Sequence, residues 1–151
     1  MEKTSSPIIG VPVGMQVKFM ECCFPLPGEN IIGIKNGKTE LRIHRAGCIH
    51  LEEFMEKPEK WQDVKWHLKA EEMQFYTSRI KAEIYHKPGA LSIVANEIGK
   101  QNVNISNIRI SEKSSDFYQF IVDLELRSLF QLKEIMKNML ETDLVYSVMR
   151  S

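Results

Sequence analysis

The strongest constraint on the fold of this chain is a regular alternation of strand and helix patterns after residue 73. Ile80, Ala82 and Ile84 fall on one face of a strand, because successive strand residues point to opposite faces. A proline–glycine pair then precedes a helical pattern, two further strand patterns, a second helical pattern that begins at Ser128, and a last strand pattern over residues 144–150. This β-α-β-β-α-β order predicts a ferredoxin-like sandwich of four antiparallel strands and two helices over residues 73–151.

Residues 16–72 predict a separate, smaller and β-rich domain. Alternating patterns in "MQVKFMECC", "NIIGIKN", "GKTELRIHR" and "KWQDVKWHL" indicate strands. "AGCIHLEEFMEK" indicates a short helix that Pro58 ends. Residues 1–15 carry scattered serine, proline and glycine and are predicted to be a loose segment. The chain as a whole is therefore predicted to be of the α+β class.

Composition narrows the classes of function. Of the 151 residues, 43% are apolar and 26% are charged, which is typical of a globular protein. Twenty basic and twenty acidic side chains cancel, so binding to nucleic acid or to a membrane surface would have to rely on a local patch. No stretch approaches the roughly 18 apolar residues of a membrane helix, and the first residues do not predict a signal peptide. Three cysteines cannot all pair within the chain, so the cytoplasm is the expected compartment.

The three cysteines and one histidine have a spacing that indicates a metal site. Cys22 and Cys23 are adjacent at the end of one predicted strand, and His44 and Cys48 follow at the end of the next hairpin. A hairpin brings these two ends together, and zinc prefers four thiolate or imidazole ligands in a tetrahedron. His50 is a further nitrogen ligand nearby. A domain of about 55 residues has a marginal core, and a structural zinc ion would stabilise it by on the order of 10 kcal/mol.

Two other interpretations of the cysteines stay open on the residues alone. Cysteine is among the most often buried residue types, so the three could pack as small hydrophobic side chains. The adjacent pair could also be a redox switch, although a disulfide between neighbours closes a strained ring. Against the metal, neighbouring side chains on an extended strand point to opposite faces, which is an unusual arrangement for two ligands.

Motifs in both halves of the chain resemble one enzyme family. "VKFMECCFPLPGENIIGI", "HRAGC", "LEEF" and Trp61 resemble the conserved-cysteine, zinc-finger-like domain of long RelA/SpoT-type enzymes, which synthesise and hydrolyse (p)ppGpp. The stretch from "RIKAEIYHKPGALSIVANEIGKQNVNISNIRIS" to "YSVMR" resembles their ACT domain. The family's catalytic modules precede this region, and the chain has no His-Asp dipeptide of a metal hydrolase. The resemblance therefore implies a regulatory C-terminal module that makes no (p)ppGpp by itself.

The resemblance also implies roles for two groups of residues and names partners for a third group, which the charges of the sequence indicate. The metal set, for a structural zinc ion, consists of Cys22, Cys23, His44 and Cys48. The loop that approaches small effectors, commonly amino acids, consists of His86, Lys87, Pro88, Gly89, Ala90 and Leu91, with Asn104 and Ile105 completing its wall. The family's partners include the ribosome and tRNA, and a basic patch that could follow a phosphate backbone consists of Lys35, Lys38, Arg42 and Arg45.

Two functions follow as alternatives. The first is a regulatory module that contacts the ribosome or tRNA and acts on the catalytic part of a parent enzyme, in cis or in trans. The second is an amino-acid sensor that acts through dimerisation without RNA contact. A homodimer is expected because ACT domains often pair side by side and exposed sheet edges favour such pairing. No membrane partner is expected.

Overall fold

The computed structural model describes residues 6–151. The chain divides into two compact units, one that extends to Gln74 (unit 1) and one that spans Phe75–Ser151 (unit 2). Each unit has its own buried apolar side chains and is described by itself. None of the helices within residues 6–151 has the length and apolar character that a membrane crossing requires.

Unit 1 is built on a four-stranded sheet of short strands. The strands are β2 (Gln16–Phe19), β3 (Ile31–Asn36), β4 (Glu40–Arg45) and β5 (Trp61–Gln62), in the order β2-β4-β3-β5. β3 and β4 form an antiparallel hairpin, and β2 runs parallel to β4. A separate two-stranded ladder pairs β1 (Ile8–Ile9) with β6 (Lys65–Trp66), and a single helical turn, α1 (Ala70–Met73), follows.

The sheet of unit 1 has two apolar faces, because side chains alternate along β3 and β4. One face is covered by a cluster of buried residues: Ile8, Ile31, Leu41 and Ile43. The other face, called the cysteine face below, is covered by a second cluster: Cys23, Ile34, Cys48 and Leu51. Trp66 stacks on Phe19 beside the first cluster, with ring centroids 5.6 Å apart, and Trp61 packs against the second. Cysteine therefore supplies two of the four residues in this buried cluster.

Parts of unit 1 differ from the sequence prediction. Residues 8–9 lie in the segment 1–15 that was expected to be loose, yet they form β1, and Ile8 exposes only 4% of its surface. The reason is that this apolar, β-branched side chain covers the sheet. Residues 1–5 of the same segment lie outside the described residues.

The helix that was expected before Pro58 is a 3₁₀-helix over Ile49–Phe54. Its hydrogen bonds join residues three positions apart; for example, the amide of Leu51 donates to the carbonyl of Cys48 at 3.1 Å. Helices of this type are usually short. The first predicted strand also ends early, at Phe19, so Cys22 and Cys23 lie in a turn rather than in a strand.

Unit 2 confirms the predicted ferredoxin-like order. Its elements are β7 (Tyr76–Tyr85), α2 (Ala90–Gly99), β8 (Asn104–Lys113), β9 (Phe117–Leu126), α3 (Leu129–Leu140) and β10 (Val145–Arg150). The sheet order is β10-β7-β9-β8, and every neighbouring pair is antiparallel. Ile80, Ala82 and Ile84 are fully buried, as their spacing predicts. Ser128 caps α3, because its Oγ accepts a hydrogen bond from the amide of Gln131 at 3.1 Å.

Candidate functional site

Four side chains with metal-binding atoms converge on the cysteine face of unit 1. The ligand atoms of Cys22, Cys23, His44 and Cys48 all lie within 4.8 Å of one another. Cys22 Sγ is 3.4 Å from His44 Nδ1, 3.7 Å from Cys48 Sγ and 3.9 Å from Cys23 Sγ, and Cys23 Sγ is 3.9 Å from His44 Nδ1. His50, the further nitrogen ligand, lies beside this group with Nδ1 3.7 Å from Cys48 Sγ. The structure thus brings together all four residues of the predicted metal set.

The spacing of these atoms fits a tetrahedral zinc site. Ligands at the zinc–sulfur distance of about 2.3 Å form a tetrahedron with edges of about 3.8 Å. The four edges given above, between 3.4 and 3.9 Å, lie close to this value. Three thiolates and one imidazole fill all four positions and leave none open for a substrate. The donor set therefore fits a structural zinc ion rather than a catalytic one.

Two backbone turns allow adjacent cysteines to point to one place. The amide of Phe24 donates to the carbonyl of Met20 at 2.9 Å, and Phe24 has a φ of +46°, so the chain curls around Cys22 and Cys23. Neighbouring side chains in a turn need not point to opposite faces as they do in a strand. On the other side of the site, the amide of Cys48 donates to the carbonyl of Arg45 at 2.9 Å, which holds Cys48 directly after β4.

When no metal is bound, burial favours the neutral forms of these side chains, the thiol and the uncharged imidazole. Cys23 exposes 1% of its surface and His44 exposes 4%, whereas Cys22 is exposed. Burial raises the pKa of Cys23 to about 12 and also raises the pKa of Cys22, and it lowers the pKa of His44. A bound zinc ion favours the thiolate form of the cysteines, whose protons pass to the solvent, and it binds the neutral form of the imidazole. The amide of Arg45 donates to Cys23 Sγ at 3.3 Å, a contact that stabilises a thiolate ligand.

A cavity of about 520 Å³ lies beside the end of β7 in unit 2. The whole predicted effector loop lines it: His86, Lys87, Pro88, Gly89, Ala90 and Leu91. Gly89 has a φ of +84°, a conformation that glycine adopts without strain. Apart from Gly89 itself and the residues on either side of it, no atom of the described residues lies within 4 Å of the position where a Cβ would stand, so the space above this glycine is open. The backbone at the start of α2 is therefore open on this side.

Asn104 and Ile105, which were expected to complete the wall of this cavity, do not line it. β7 and β8 both run antiparallel to β9 and hence in the same direction, so the start of β8 lies at the opposite end of the sheet from the loop. A ten-residue strand separates the two by about 30 Å. The wall is instead completed by Ile110, Tyr118 and Phe120, which only the long-range strand register could have indicated.

The four predicted RNA-binding cations do not share one face of the hairpin. The strand register places Lys35 and Arg45 on the face opposite to the cysteine face, and Arg42 on the cysteine face. Arg42 is also paired, with its Nε 2.6 Å from the carboxylate of Glu40. Lys38 is exposed at the turn of the hairpin. These side chains therefore form separate positive positions around the hairpin rather than one stripe.

Both units match known sequence families. Residues 6–67 match the RelA/SpoT RIS domain, and residues 72–150 match the ACT domain. The chain belongs to the RelA/SpoT family. The RIS and ACT domains account for nearly all of its residues, so the catalytic domains of RelA/SpoT enzymes are not in this chain. What the chain contains is the regulatory region of the family.

Curated RelA/SpoT proteins match most of the chain. The bifunctional (p)ppGpp synthase/hydrolase SpoT of Escherichia coli K12 is 30% identical over 124 residues, which is 82% of this chain and 17% of SpoT. GTP pyrophosphokinase rsh of Brucella abortus is 27% identical over 148 residues, which is 98% of this chain and 20% of rsh. The chain thus spans no more than 20% of the length of these two relatives. A crystal structure of the ACT domain from GTP pyrophosphokinase of Chlorobium tepidum covers 51% of this chain and 99% of its own, with 18% identity and a TM-score of 0.45.

Proposed function

We propose that this chain acts as a non-catalytic regulatory region of a (p)ppGpp synthetase/hydrolase, with the catalytic part of such an enzyme as its partner in cis or in trans. The succession of a RIS domain and an ACT domain along the chain carries this proposal. SpoT of Escherichia coli, one of the relatives, is a bifunctional (p)ppGpp synthase/hydrolase, which supports (p)ppGpp as the nucleotide whose level is regulated. The isolated chain should neither make nor hydrolyse (p)ppGpp. A measurable turnover by the purified chain would contradict the proposal.

Unit 1 holds one structural zinc ion in this proposal. Cys22, Cys23, His44 and Cys48 are its ligands, and the nearly tetrahedral spacing of their donor atoms supports the assignment. The ion would crosslink the turn after β2 to the turn after β4 and thereby hold the cysteine face closed. The three free cysteines also support a cytoplasmic location, where thiols stay reduced, and cell fractionation would test it.

Contact with the ribosome or tRNA is the proposed action of unit 1. Because the chain has no net charge, attraction to RNA must come from local cations such as Lys35 and Lys38, which lie at one end of the hairpin. Contacts with phosphate oxygens weaken steeply as salt rises. Binding through this hairpin should therefore be strong at low salt and weak at high salt.

Co-sedimentation with ribosomes tests this contact. The double variant Lys35→Glu and Lys38→Glu should reduce the bound fraction at low salt, because it reverses charge at one end of the hairpin. A matched control, Lys133→Glu with Lys137→Glu, makes the same change in net charge on exposed positions of α3 and should bind as the unchanged chain does. Equal binding by the hairpin variant and the control would remove this hairpin as the contact.

An amino-acid effector is a second candidate function, and the cavity at the end of β7 favours it. Its volume of about 520 Å³ lies in the range of small-molecule sites. Ile110, Tyr118 and Phe120 line it together with Gly89, whose backbone is open. Calorimetric titration with each of the twenty amino acids would identify the effector. A chain that sediments with ribosomes but gives no heat with any amino acid would exclude the sensor function.

A homodimer through unit 2 completes the proposal. β8 is an edge strand, and most of its residues are exposed, so its outer backbone groups are free to pair with a second copy. Sedimentation equilibrium should give twice the chain mass at micromolar concentration. A monomer mass at every concentration would contradict this assembly.

A further inference from the structure

We infer that the cysteine cluster is a peroxide-sensitive site, in which Cys22 is oxidised first and then forms a disulfide with Cys48, so that the zinc ion is released. The inference rests on the zinc site proposed above. It adds a modification chemistry to that site and assigns different roles to its three thiolates.

Exposure separates the three cysteines. Cys22 is exposed, whereas Cys23 and Cys48 expose 1% and 9% of their surface. His44, the fourth member of the set, exposes 4%. A small oxidant in solution therefore reaches the sulfur of Cys22 before it reaches the others. Oxidation of cysteine follows thiolate character and exposure, and a zinc ligand is already a thiolate.

Distance selects the partner of Cys22. Its Sγ lies 3.7 Å from Cys48 Sγ and 3.9 Å from Cys23 Sγ. To reach the disulfide bond length of about 2.05 Å, the sulfurs of Cys22 and Cys48 must approach by less than about 2 Å. Cys23 is nearly as close, but it is the sequence neighbour of Cys22, and a disulfide between neighbours closes a strained eight-membered ring. Cys48 is 26 positions away in sequence, so its disulfide closes a loop without that strain.

The proposed chemistry consumes one hydrogen peroxide molecule per site. The thiolate of Cys22 attacks one peroxide oxygen, the O–O bond breaks, and hydroxide leaves, which gives a sulfenic acid. The thiolate of Cys48 then attacks that sulfur, the S–O bond breaks, a second hydroxide leaves, and the disulfide forms. Two thiolates have given up two electrons, and the two hydroxides take protons from solvent to become water.

Loss of two ligands explains why the metal leaves. A disulfide sulfur is not the thiolate that zinc binds, so only Cys23 and His44 remain of the four ligands. Two ligands hold zinc far less tightly than four. Reduction by a thiol returns both thiolates, and added zinc should then restore the site.

Site-resolved mass spectrometry of the zinc-loaded full chain tests the inference. After brief exposure to hydrogen peroxide with dimedone, the sulfenic acid adduct should be found on Cys22. Without dimedone, a Cys22–Cys48 disulfide should form while a colorimetric chelator detects one released zinc per disulfide. A first adduct on Cys23 or Cys48, or a Cys22–Cys23 disulfide as the main product, would overturn the assignment.

A pair of variants separates the roles of the adjacent cysteines. Cys22→His and Cys23→His each replace one thiolate ligand by an imidazole ligand. Both variants therefore share the change in zinc affinity that this replacement causes, and comparing them isolates the position of the thiolate. Release of zinc by peroxide should be roughly tenfold slower from Cys22→His than from Cys23→His, because the second keeps the exposed thiolate and its partner. Equal rates would overturn the inference. A chain that binds no zinc at all would overturn the proposed zinc site as well, whereas a loaded chain that keeps its zinc under peroxide would overturn only this inference.

Discussion

Removal of zinc is predicted to unfold unit 1 and to leave unit 2 folded. A domain of about 70 residues has a net stability of about 4–10 kcal/mol, and a structural zinc ion contributes on the order of 10 kcal/mol at neutral pH. Two of the four residues in the buried cluster of the cysteine face, Cys23 and Cys48, are proposed ligands, and the other two are Ile34 and Leu51. The metal therefore contributes about as much as the whole net stability of unit 1, so its loss should unfold the unit at room temperature.

The distribution of aromatic residues provides a separate probe for each unit. Both tryptophans, Trp61 and Trp66, belong to unit 1, and Trp61 packs directly against the cysteine cluster. The two long helices, α2 and α3, belong to unit 2. Tryptophan fluorescence therefore follows unit 1, and far-ultraviolet circular dichroism at helical wavelengths follows mainly unit 2.

A strong chelator should shift the tryptophan emission to the red and abolish its cooperative thermal transition. The helical dichroism of unit 2 should keep its transition, and added zinc should restore the signal of unit 1. Metal analysis after buffer exchange verifies that the zinc has been removed. If the metal is gone and the tryptophan emission and its unfolding midpoint stay the same, the reasoning that unit 1 depends on zinc is wrong.

Three further predictions concern unit 2. Ile98→Ala should lower its stability by about 2–5 kcal/mol, because Ile98 is fully buried; an unchanged midpoint of helical dichroism would contradict this. Gly89→Val should cost about 1–2 kcal/mol, because a φ of +84° is strained for a side chain with a Cβ, and denaturant titration would measure it. Burial raises the pKa of Tyr76 to about 12, so the unfolded state loses this proton first and stability should fall from pH 10 to pH 12. The Tyr76→Phe variant should lack that part of the decline, and an equal decline would remove Tyr76 as its cause.

The fold of unit 2 could be predicted because its signals are local. The alternation of Ile80, Ala82 and Ile84 and the cap at Ser128 each lie within one element, and the order of the elements then limits the topology. The burial of Ile8 could not be predicted in the same way. It depends on the pairing of β1 with β6, more than 50 residues away in sequence, and a two-residue strand has no periodicity of its own.

The sequence could predict which residues form the candidate site, but not how they are arranged. Spacing indicated which residues meet, whereas the convergence of Cys22 and Cys23 depends on the turn that Phe24 completes with a positive φ, a conformation that phenylalanine rarely adopts. The misplacement of Asn104 has a similar origin. Sequence order puts it just after α2, but the direction of β8 puts it at the far end of the sheet from the effector loop.

The arrangement of the hairpin cations could not be predicted from the sequence either. Lys35, Lys38, Arg42 and Arg45 are close in sequence, and that closeness suggested one patch. Strand alternation and the ion pair between Arg42 and Glu40 separate them in space.

Native mass spectrometry of the full chain, purified without chelator, measures most directly whether three thiolates and an imidazole bind one metal ion. We expect the mass of the chain plus one zinc ion, and the mass of the chain alone for the Cys48→Ser variant, which lacks one of the four ligands. A chain that remains metal-free after incubation with zinc, or a Cys48→Ser variant that keeps the ion as firmly, would contradict the proposed zinc site.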